Sequence, residues 1–444
     1  MASLVVVTMI LGCAALLYFK GTFVKAFAAI IIAIISGMVA FGFFEAVANM
    51  FISRGDEGMF LTIAPWAQTT SFILIFVVVF AVLQAAATCL LKNPVDLGFL
   101  PECIGRIACG TVLGFLVSGF LLTALAMGPF SLGFPYQRFD PVRLKPDNPK
   151  GALLGADGFA TGLFTMVSKG SFSGKRSFAT IHPNYLDQLF FNRLINTETT
   201  SIISSMFPAI SVPRQAAVWR APQDVAEQAD GLIGDLRSSS GRLKDVKDAQ
   251  GKPVSLPVST KGSYDVTIVR VGISKRAIRA DARINGGAFT PSQLRLICKR
   301  KGTGQDRFAG EAVNVYPIGH LRTASQIQVV AEIKLDSRRV EGSEQLIDFV
   351  FCVPTGHEPV VVQYKLNSIA EIAPGAIVTD SAKIPAEPAT FNASSGGNGN
   401  RSNNRPNRSS NPPREQPRTQ TNPQGRRGLS DTGRSIVGTD FDEQ

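Results

Sequence analysis

The chain has 444 residues, of which 45% are hydrophobic and only 18% charged, and its formal net charge is +11. That length commonly means two or three domains, and an excess of cations suits an anionic surface such as lipid head groups or acidic polymer. No aromatic interleaving or nucleic-acid fold signature accompanies the charge, so nucleic acid is not an expected partner and a solvated basic surface is the plainer reading. The averages hide a gradient: the first third is nearly free of charge, the middle is ordinary, and the end is polar and Arg-rich.

Four apolar stretches fill the first 130 residues, at about Ala2–Phe19, Val24–Phe51, Trp66–Leu91 and Ile104–Met127. A helix crosses the hydrocarbon core with roughly 20 apolar residues, so each stretch reads as a span and the lipid bilayer is the first expected partner. The first stretch lacks the basic n-region of a secretory signal, so it reads as an uncleaved helix with Cys13 as a small apolar residue. The second runs from Ala26 to Phe44 without charge and meets Glu45 near its far end. In the third, Gln84 and Thr88 share a helix face. They are read as structural glue worth about 1 kcal/mol of hydrogen bonding, or alternatively as the lining of a solute path.

In the fourth stretch Gly110, Gly114 and Ser118 recur every four residues, and Ala33 and Gly37 cut a similar notch in the second. Small residues at that spacing let helix backbones approach closely. The two faces are expected to meet within the chain, and a homo-oligomer contact would look the same. No ionisable residue lies near the middle of any span, which argues against a pump or proton-coupled transporter.

Lys20 and Lys25 mark the first connection and Lys92 and Arg106 the third, whereas the second has Arg54 beside Asp56 and Glu57. The positive-inside rule then places the first and third connections in the cytoplasm and both termini outside it. Arg138, Arg143, Lys145 and Lys150 argue the other way, but large domains translocate largely regardless of charge.

The closely spaced spans, the turn Phe19-Lys20-Gly21-Thr22-Phe23-Val24-Lys25 and the Gly-rich entry Ile104-Gly105-Arg106-Ile107-Ala108-Cys109-Gly110-Thr111-Val112-Leu113-Gly114 resemble the colicin V production (CvpA) family. The resemblance covers residues 1–130. It implies an inner-membrane protein linked to toxin production or export. Some members carry a serine protease domain after the fourth helix, outside the cytoplasm. The appended region here differs, so protease activity does not carry over, whereas an exterior placement does.

Beyond the spans, residues 131–260 read as mixed helical and linker material. Amphipathic helices are predicted near Gly151–Ser168 and Asn184–Ile195, the second opened by Pro183, with Leu186, Leu189, Phe190 and Leu194 at helical spacing. Packing against the following domain is the favoured role for both, lying on the membrane surface the other. Ala221–Pro253 reads as a linker holding a charged helical piece. From about Ser263 the period becomes two. Runs at Tyr264–Val271, Ala277–Ile284, Leu294–Cys298, Ala312–Ile318, Gln326–Ile333, Leu346–Pro354 and Val360–Leu366 predict about seven strands of an antiparallel sandwich over 261–372. The text from Phe349 to Pro359 is similar to immunoglobulin-like modules. Cys298 and Cys352 both fall in predicted strands, where an exterior setting would allow a disulfide and the alternative is two buried free thiols. From Pro385 to Gln444 the composition of Asn, Ser, Gly, Pro and Arg predicts a disordered tail.

Catalytic chemistry is absent from the text. No C-x-x-C spacing suggests zinc or redox work, and His182, His320 and His357 stand isolated. Gly170-Ser171-Phe172-Ser173-Gly174-Lys175-Arg176 has one spacer too few for a phosphate-binding loop and no Ser or Thr after Lys. A nucleophile elbow would need Ser where Phe172 stands. The expectation is therefore an α-helical membrane bundle of four transmembrane helices, a mainly β immunoglobulin-like sandwich domain and a disordered tail. No catalytic, cofactor or metal site is expected. In function it is expected to be a non-enzymatic inner-membrane protein supporting toxin export or envelope assembly, its exterior domain binding an envelope protein or anionic polymer. The alternatives are a small-solute transporter or channel, and a plain anchor for the β module.

Overall fold

The computed structural model describes residues 1–52, 64–91, 98–131, 133–140, 144, 146–169, 177–194, 203–204, 208–239, 241–247, 253–279, 287–302, 307–385 and 389. The run 170–176, the connection residues Arg54, Asp56, Glu57 and Lys92, the basic residues Arg143 and Lys145, and the tail beyond Ala389 lie outside them.

Helices α1 (Ala2–Lys20), α2 (Phe23–Ile52), α3 (Ala67–Leu90) and α4 (Phe99–Met127) follow the four apolar stretches, and each is long and apolar enough to cross a membrane. α1 stops at Gly21, whose N–H returns 3.0 Å to Leu17 O, and α4 stops at Gly128. α4 is the central element: α1 lies along one side, α2 along another, and α3 packs mainly on α2.

The small residues set these pairings. A Cβ on Gly110 would fall 2.5 Å from Ala14 Cα, and one on Gly114 2.6 Å from Ile10 Cα. The groove of α4 therefore receives the backbone of α1. A Cβ on Gly37 would instead collide with the Phe120 ring, while Ala33 is buried beside Cys109 and Leu113. Ser118 is buried and its hydroxyl donates to Phe115 O at 2.8 Å. The expected meeting of the two small-residue faces is thus replaced by glycine against the α1 backbone on one side and ring into notch on the other. Gly114→Leu should force α1 away and lower stability in detergent by about 1–3 kcal/mol. Thermal unfolding checks this, with Gly42→Leu, whose Cβ meets open space, as the unchanged control.

After the spans come α5 (Ala156–Lys169), the short α6 (Phe178–Ile181), α7 (Tyr185–Leu194) and, later, α8 (Gln223–Ser238). α7 is buried nearly all round, its polar residues Gln188, Asn192 and Arg193 included. α8 buries Val225, Ala229, Ile233 and Leu236 at helical spacing, so the stretch read as a linker contains a packed helix.

The strands are β1 (Ile210–Ser211), β2 (Val218–Arg220), β3 (Arg242–Lys247), β4 (Pro253–Ser255), β5 (Tyr264–Ser274), β6 (Ala288–Phe289), β7 (Leu294–Arg300) and β8 (Ala312–Val315). They continue with β9 (Pro317–Thr323), β10 (Gln326–Gln328), β11 (Ile333–Lys334), β12 (Glu344–Pro354), β13 (His357–Tyr364), β14 (Ser368–Glu371) and β15 (Ile377–Val378). The larger sheet runs β10-β9-β12-β5-β2-β15, with β1 also on β5; a second runs β14-β13-β7-β8, and β11–β6 and β3–β4 form small pairs. Every pairing is antiparallel except β15 with β2. The run expected as a strand from Ala277 is instead helical over 275–279, and the Gln326–Ile333 run breaks after Gln328. β1 and β2 arise before residue 261, inside the stretch read as mixed and linker.

The period-two pattern buries both faces of the larger sheet. Val269, Val271, Phe349 and Phe351 share one core with Leu294, Leu296, Val362 and Tyr364 of the second sheet. Ile268, Val350 and Cys352 point the other way, into a cluster that continues through Leu189 and Phe190 of α7 to Phe41, Phe44 and Phe120 of the spans. On that face Asp348, fully buried and opposite Arg270 in the register, receives Nε at 2.7 Å and Nη2 at 2.8 Å from that guanidinium. One hydrophobic core therefore runs from the bundle into the sheets, with α5 to α7 between them.

Candidate functional site

The polar side chains that the fold buries converge at the junction between bundle and sheets. α2 continues past its charge-free run and delivers Glu45 two turns before its end. The four-stranded sheet delivers Arg295 of β7 and Gln363 of β13, directly opposite each other in the register, and Asn314 of the neighbouring β8. His182 sits between α6 and α7, in the turn that Pro183 and the positive-φ residue Asn184 complete.

Arg295 is 1% exposed and fully committed. Nε donates to Gln363 Oε1 at 2.6 Å, Nη2 to Ile181 O at 2.8 Å, and Nη1 to Asn314 Oδ1. Nη2 also lies 3.2 Å from His182 Nδ1. Gln188 donates to Gln363 Oε1 at 2.7 Å and turns its own Oε1 to within 3.0 Å of His182 Nδ1. The other imidazole nitrogen, Nε2, is 2.7 Å from Glu45 Oε1, a close ionic contact whose direction departs from hydrogen-bonding geometry. Phe178 and Tyr185 flank the imidazole at about 5 Å.

Burial pulls the Arg295 guanidinium down to about 10, against the opposing pull of Tyr316, Glu45 and Tyr185. Burial also pushes the Tyr185 phenol well above its ordinary value, and the charge of Glu45 adds to that. Arg295 remains a cation at neutral pH. A buried ion without a counter-charge costs several kcal/mol, and the charge of Glu45 on α2, which meets the same imidazole, offsets part of that cost for Arg295 on the sheet.

A second cation clamps the end of α4. Arg193 of α7 donates Nη1 to Phe134 O at 2.5 Å, and Nη2 to Leu125 O, Ala126 O and Gly128 O at 2.5, 2.7 and 2.7 Å. The last carbonyls of a helix lack partners within it and carry the negative end of its dipole, so a fork of N–H groups suits that place. Phe130 and Phe190 lie 6.0 and 5.8 Å from the guanidinium carbon. The start of α3 is fastened too: Gln68 Nε2 donates to Leu366 O at 3.0 Å, beyond β13, and Thr69 Oγ1 to Ala124 O at 3.2 Å.

With His182 at 2% exposure and Arg295 at 1%, the centre of the cluster is buried, and Glu45, 30% exposed, lies at its edge. Its chemistry is that of a lock: paired charges and satisfied amides joining elements distant in sequence. Among the described residues no group of three or more His, Cys, Asp or Glu could hold a metal ion.

Other residues singled out by the sequence fall elsewhere. Thr88 is exposed and donates to Ala85 O of its own helix at 2.7 Å; Gln84 is half-buried, and its Oε1 meets no donor among the described residues. Both lie on α3, the span with the least burial. His357 begins β13, and His320 is buried on β9.

Of the two readings open for Cys298 and Cys352, a disulfide or two buried free thiols, the structure has the second. Both thiols are free and buried, Cys298 in the core between the sheets and Cys352 on the opposite face of the larger sheet. Strand register points the two side chains into different layers. Burial pushes the Cys352 thiol up to about 12 and Cys298 higher still. A raised value means that both remain neutral thiols at pH 8. Iodoacetamide at that pH should leave them unmodified in the folded protein and label both in urea, as peptide mass spectrometry would read directly.

His182 and Arg193 carry the junction, although in the sequence His182 stands as an isolated histidine and nothing marks Arg193. The available signal was Asp187, Gln188, Asn192 and Arg193 in a helix otherwise built of Leu, Phe and Tyr: polar groups on more than one face of α7 imply partners on more than one side.

Comparison of the chain with family models, curated proteins and solved structures finds no match. Fold and junction together define its class: four helices able to cross a membrane, joined through a shared core to a mainly β head.

Proposed function

We propose that the chain is a multi-span inner-membrane protein of the colicin V production type that supports export or envelope assembly without catalysis. Its β head is read as an immunoglobulin-like binding module outside the cytoplasm, facing an envelope protein or anionic polymer. The observation that carries this reading is the junction. Gln68 of α3 is bonded to Leu366 of the head, Glu45 of α2 lies against His182, and the carbonyls of Leu125, Ala126 and Gly128 at the end of α4 accept from Arg193 of α7, the helix that Gln188 fastens to the β sheet. A replaceable anchor has no need of such matching, so the junction favours a bundle and head that act as one body over a plain anchor. Thr88 is exposed and bonded back to Ala85 O of its own helix, which gives a solute path no enclosed lining there and disfavours the channel reading.

Orientation draws support from charge. The head attaches where α1 begins and α4 ends, with Ala2 N–H donating to Pro135 O at 3.3 Å. Lys20, Lys25 and Arg106 lie at the opposite ends of their helices, the arrangement the positive-inside rule assigns to the cytoplasm.

Alkaline phosphatase and a fluorescent protein, each fused after Pro385 in a bacterial host, test the placement. Phosphatase activity with no fluorescence is the expected result. Fluorescence without phosphatase activity would overturn the exterior head. Replacing residues 1–130 with an unrelated four-span anchor should leave the head poorly folded; full retention would revive the plain-anchor reading.

A further inference from the structure

α5 does not sit on top of the bundle but beside it, at a depth that the helical rise measures. Lys20, Lys25 and Arg106 mark one boundary of the apolar zone. At about 1.5 Å per residue, Met127 lies roughly 30 Å along α4 from Arg106 and Gly119 roughly 20 Å, and the hydrocarbon core is about 30 Å thick. The carbonyl of Ala156, first residue of α5, packs against Gly119 with no room for a Cβ. Ala152 and Ala156 join Ala2, Val6, Ile10 and Leu122 in one apolar cluster. The Phe159 ring lies 5.4 Å from Phe115, still deeper on α4, and Phe164 stacks on Phe41 of α2 at 4.8 Å. At its other end Lys169 pairs with the exposed Glu311 of the head at 2.5 Å. α5 therefore climbs from well below the head-side boundary to the aqueous side.

Its two faces differ accordingly. Asp157 is 1% exposed, accepts the Tyr136 hydroxyl and takes the Gly158 N–H at 2.8 Å. Thr161 and Thr165 return their hydroxyls to Asp157 O and Thr161 O, at 2.9 and 2.8 Å. On the other side Leu154, Phe159 and Met166 are 72%, 52% and 64% exposed. In water that would be a contiguous apolar patch of the kind soluble surfaces avoid.

We propose that residues 151–169 form a re-entrant element, dipping into the head-side leaflet with Leu154, Phe159 and Met166 against lipid acyl chains. This rests on the reading that the four helices cross a bilayer.

The test uses the full chain in phosphatidylcholine vesicles, with Phe159→Trp, Met166→Trp and, as a control on α3, Val78→Trp. All three sites are exposed, so the core is left intact. Emission added over the parent is quenched by lipids brominated at the sixth and seventh or the eleventh and twelfth acyl carbons, or by aqueous acrylamide. The expected result is strong quenching of Phe159→Trp by the deep bromines and of Met166→Trp by the shallow ones, with acrylamide at least about two-fold weaker at both. Free access of acrylamide to both, with Val78→Trp quenched by bromine, would overturn the proposal, because α5 would lie in water beside an inserted bundle. Equal shallow quenching at both would place α5 flat on the surface, and shielding from bromine and acrylamide alike would mean that protein covers the face; either overturns it. If Val78→Trp also escapes the bromines, the membrane-crossing reading itself fails.

Discussion

Arg193→Met is expected to lower the apparent unfolding temperature of the detergent-solubilised chain by on the order of 10 °C. The wild-type guanidinium closes four carbonyls, three at the end of α4 and one at Phe134. Burial pulls Arg193 down to about 10, still far above neutrality, so these are bonds to a cation at every physiological pH. Hydrogen bonds to charged groups contribute about 1.5–3 kcal/mol each, and a buried acceptor left without a donor costs about 1–3 kcal/mol. Water entering the gap would recover part of this, which leaves a net loss of about 3–5 kcal/mol, the range for removing one partner of a buried charged array. Arg193→Lys should recover less than half of it, because a single ammonium cannot reproduce the fork. Thermal unfolding followed by intrinsic fluorescence decides the matter; a shift of under about 2 °C for Arg193→Met would mean that the clamp is not a stabilising element.

Arg295→Met carries the second large effect, and a double-mutant cycle is its sharper form. The single change keeps an unbranched apolar stem but removes the donors to Gln363, Asn314 and Ile181 and the counter-charge of Glu45. Breaking a buried pair by removing one partner costs about 3–5 kcal/mol, whereas replacing both is often close to neutral. Glu45→Gln alone should cost less, because the Glu45 side chain is 30% exposed and water screens what remains. The double variant should then be more stable than the sum of the single losses, by about 1 kcal/mol or more. Strict additivity would show that Glu45 and Arg295 do not sense each other and that bundle and head are held by the hydrophobic cluster alone. Arg295 itself keeps its charge between pH 6 and 8, because its value near 10 lies above that range.

The two predictions describe one mechanical fact. α7 carries Gln188 towards the four-stranded sheet and Arg193 towards the end of α4, so a single short helix fastens both sides of the junction. Tests of function are best read on variants that leave this helix intact, since its failure would remove the head from its place whatever the head binds.

Much of the architecture follows from local sequence. Four apolar runs separated by short polar connections dictate four helices, because a backbone in an apolar setting must satisfy its hydrogen bonds within the segment. Period-two text from Tyr264 onwards dictates strands, and Gly110 and Gly114 dictate a close helix contact. What local sequence could not specify is which surfaces meet. The α4 groove accepts α1 rather than α2 because only the tertiary arrangement decides whose backbone lies there. Cys298 and Cys352 stay apart because strand register turns them into different layers. Ile268 and Val350 lie on the side of the larger sheet away from the second sheet, and they are buried because α7 and the spans cover that side. His182 and Arg295 stand 113 positions apart in the chain, and nothing local to either names the other. Composition and period are short-range properties and were legible; burial of charge is a long-range one, and here only the packed structure brings Glu45, His182 and Arg295 to a single point.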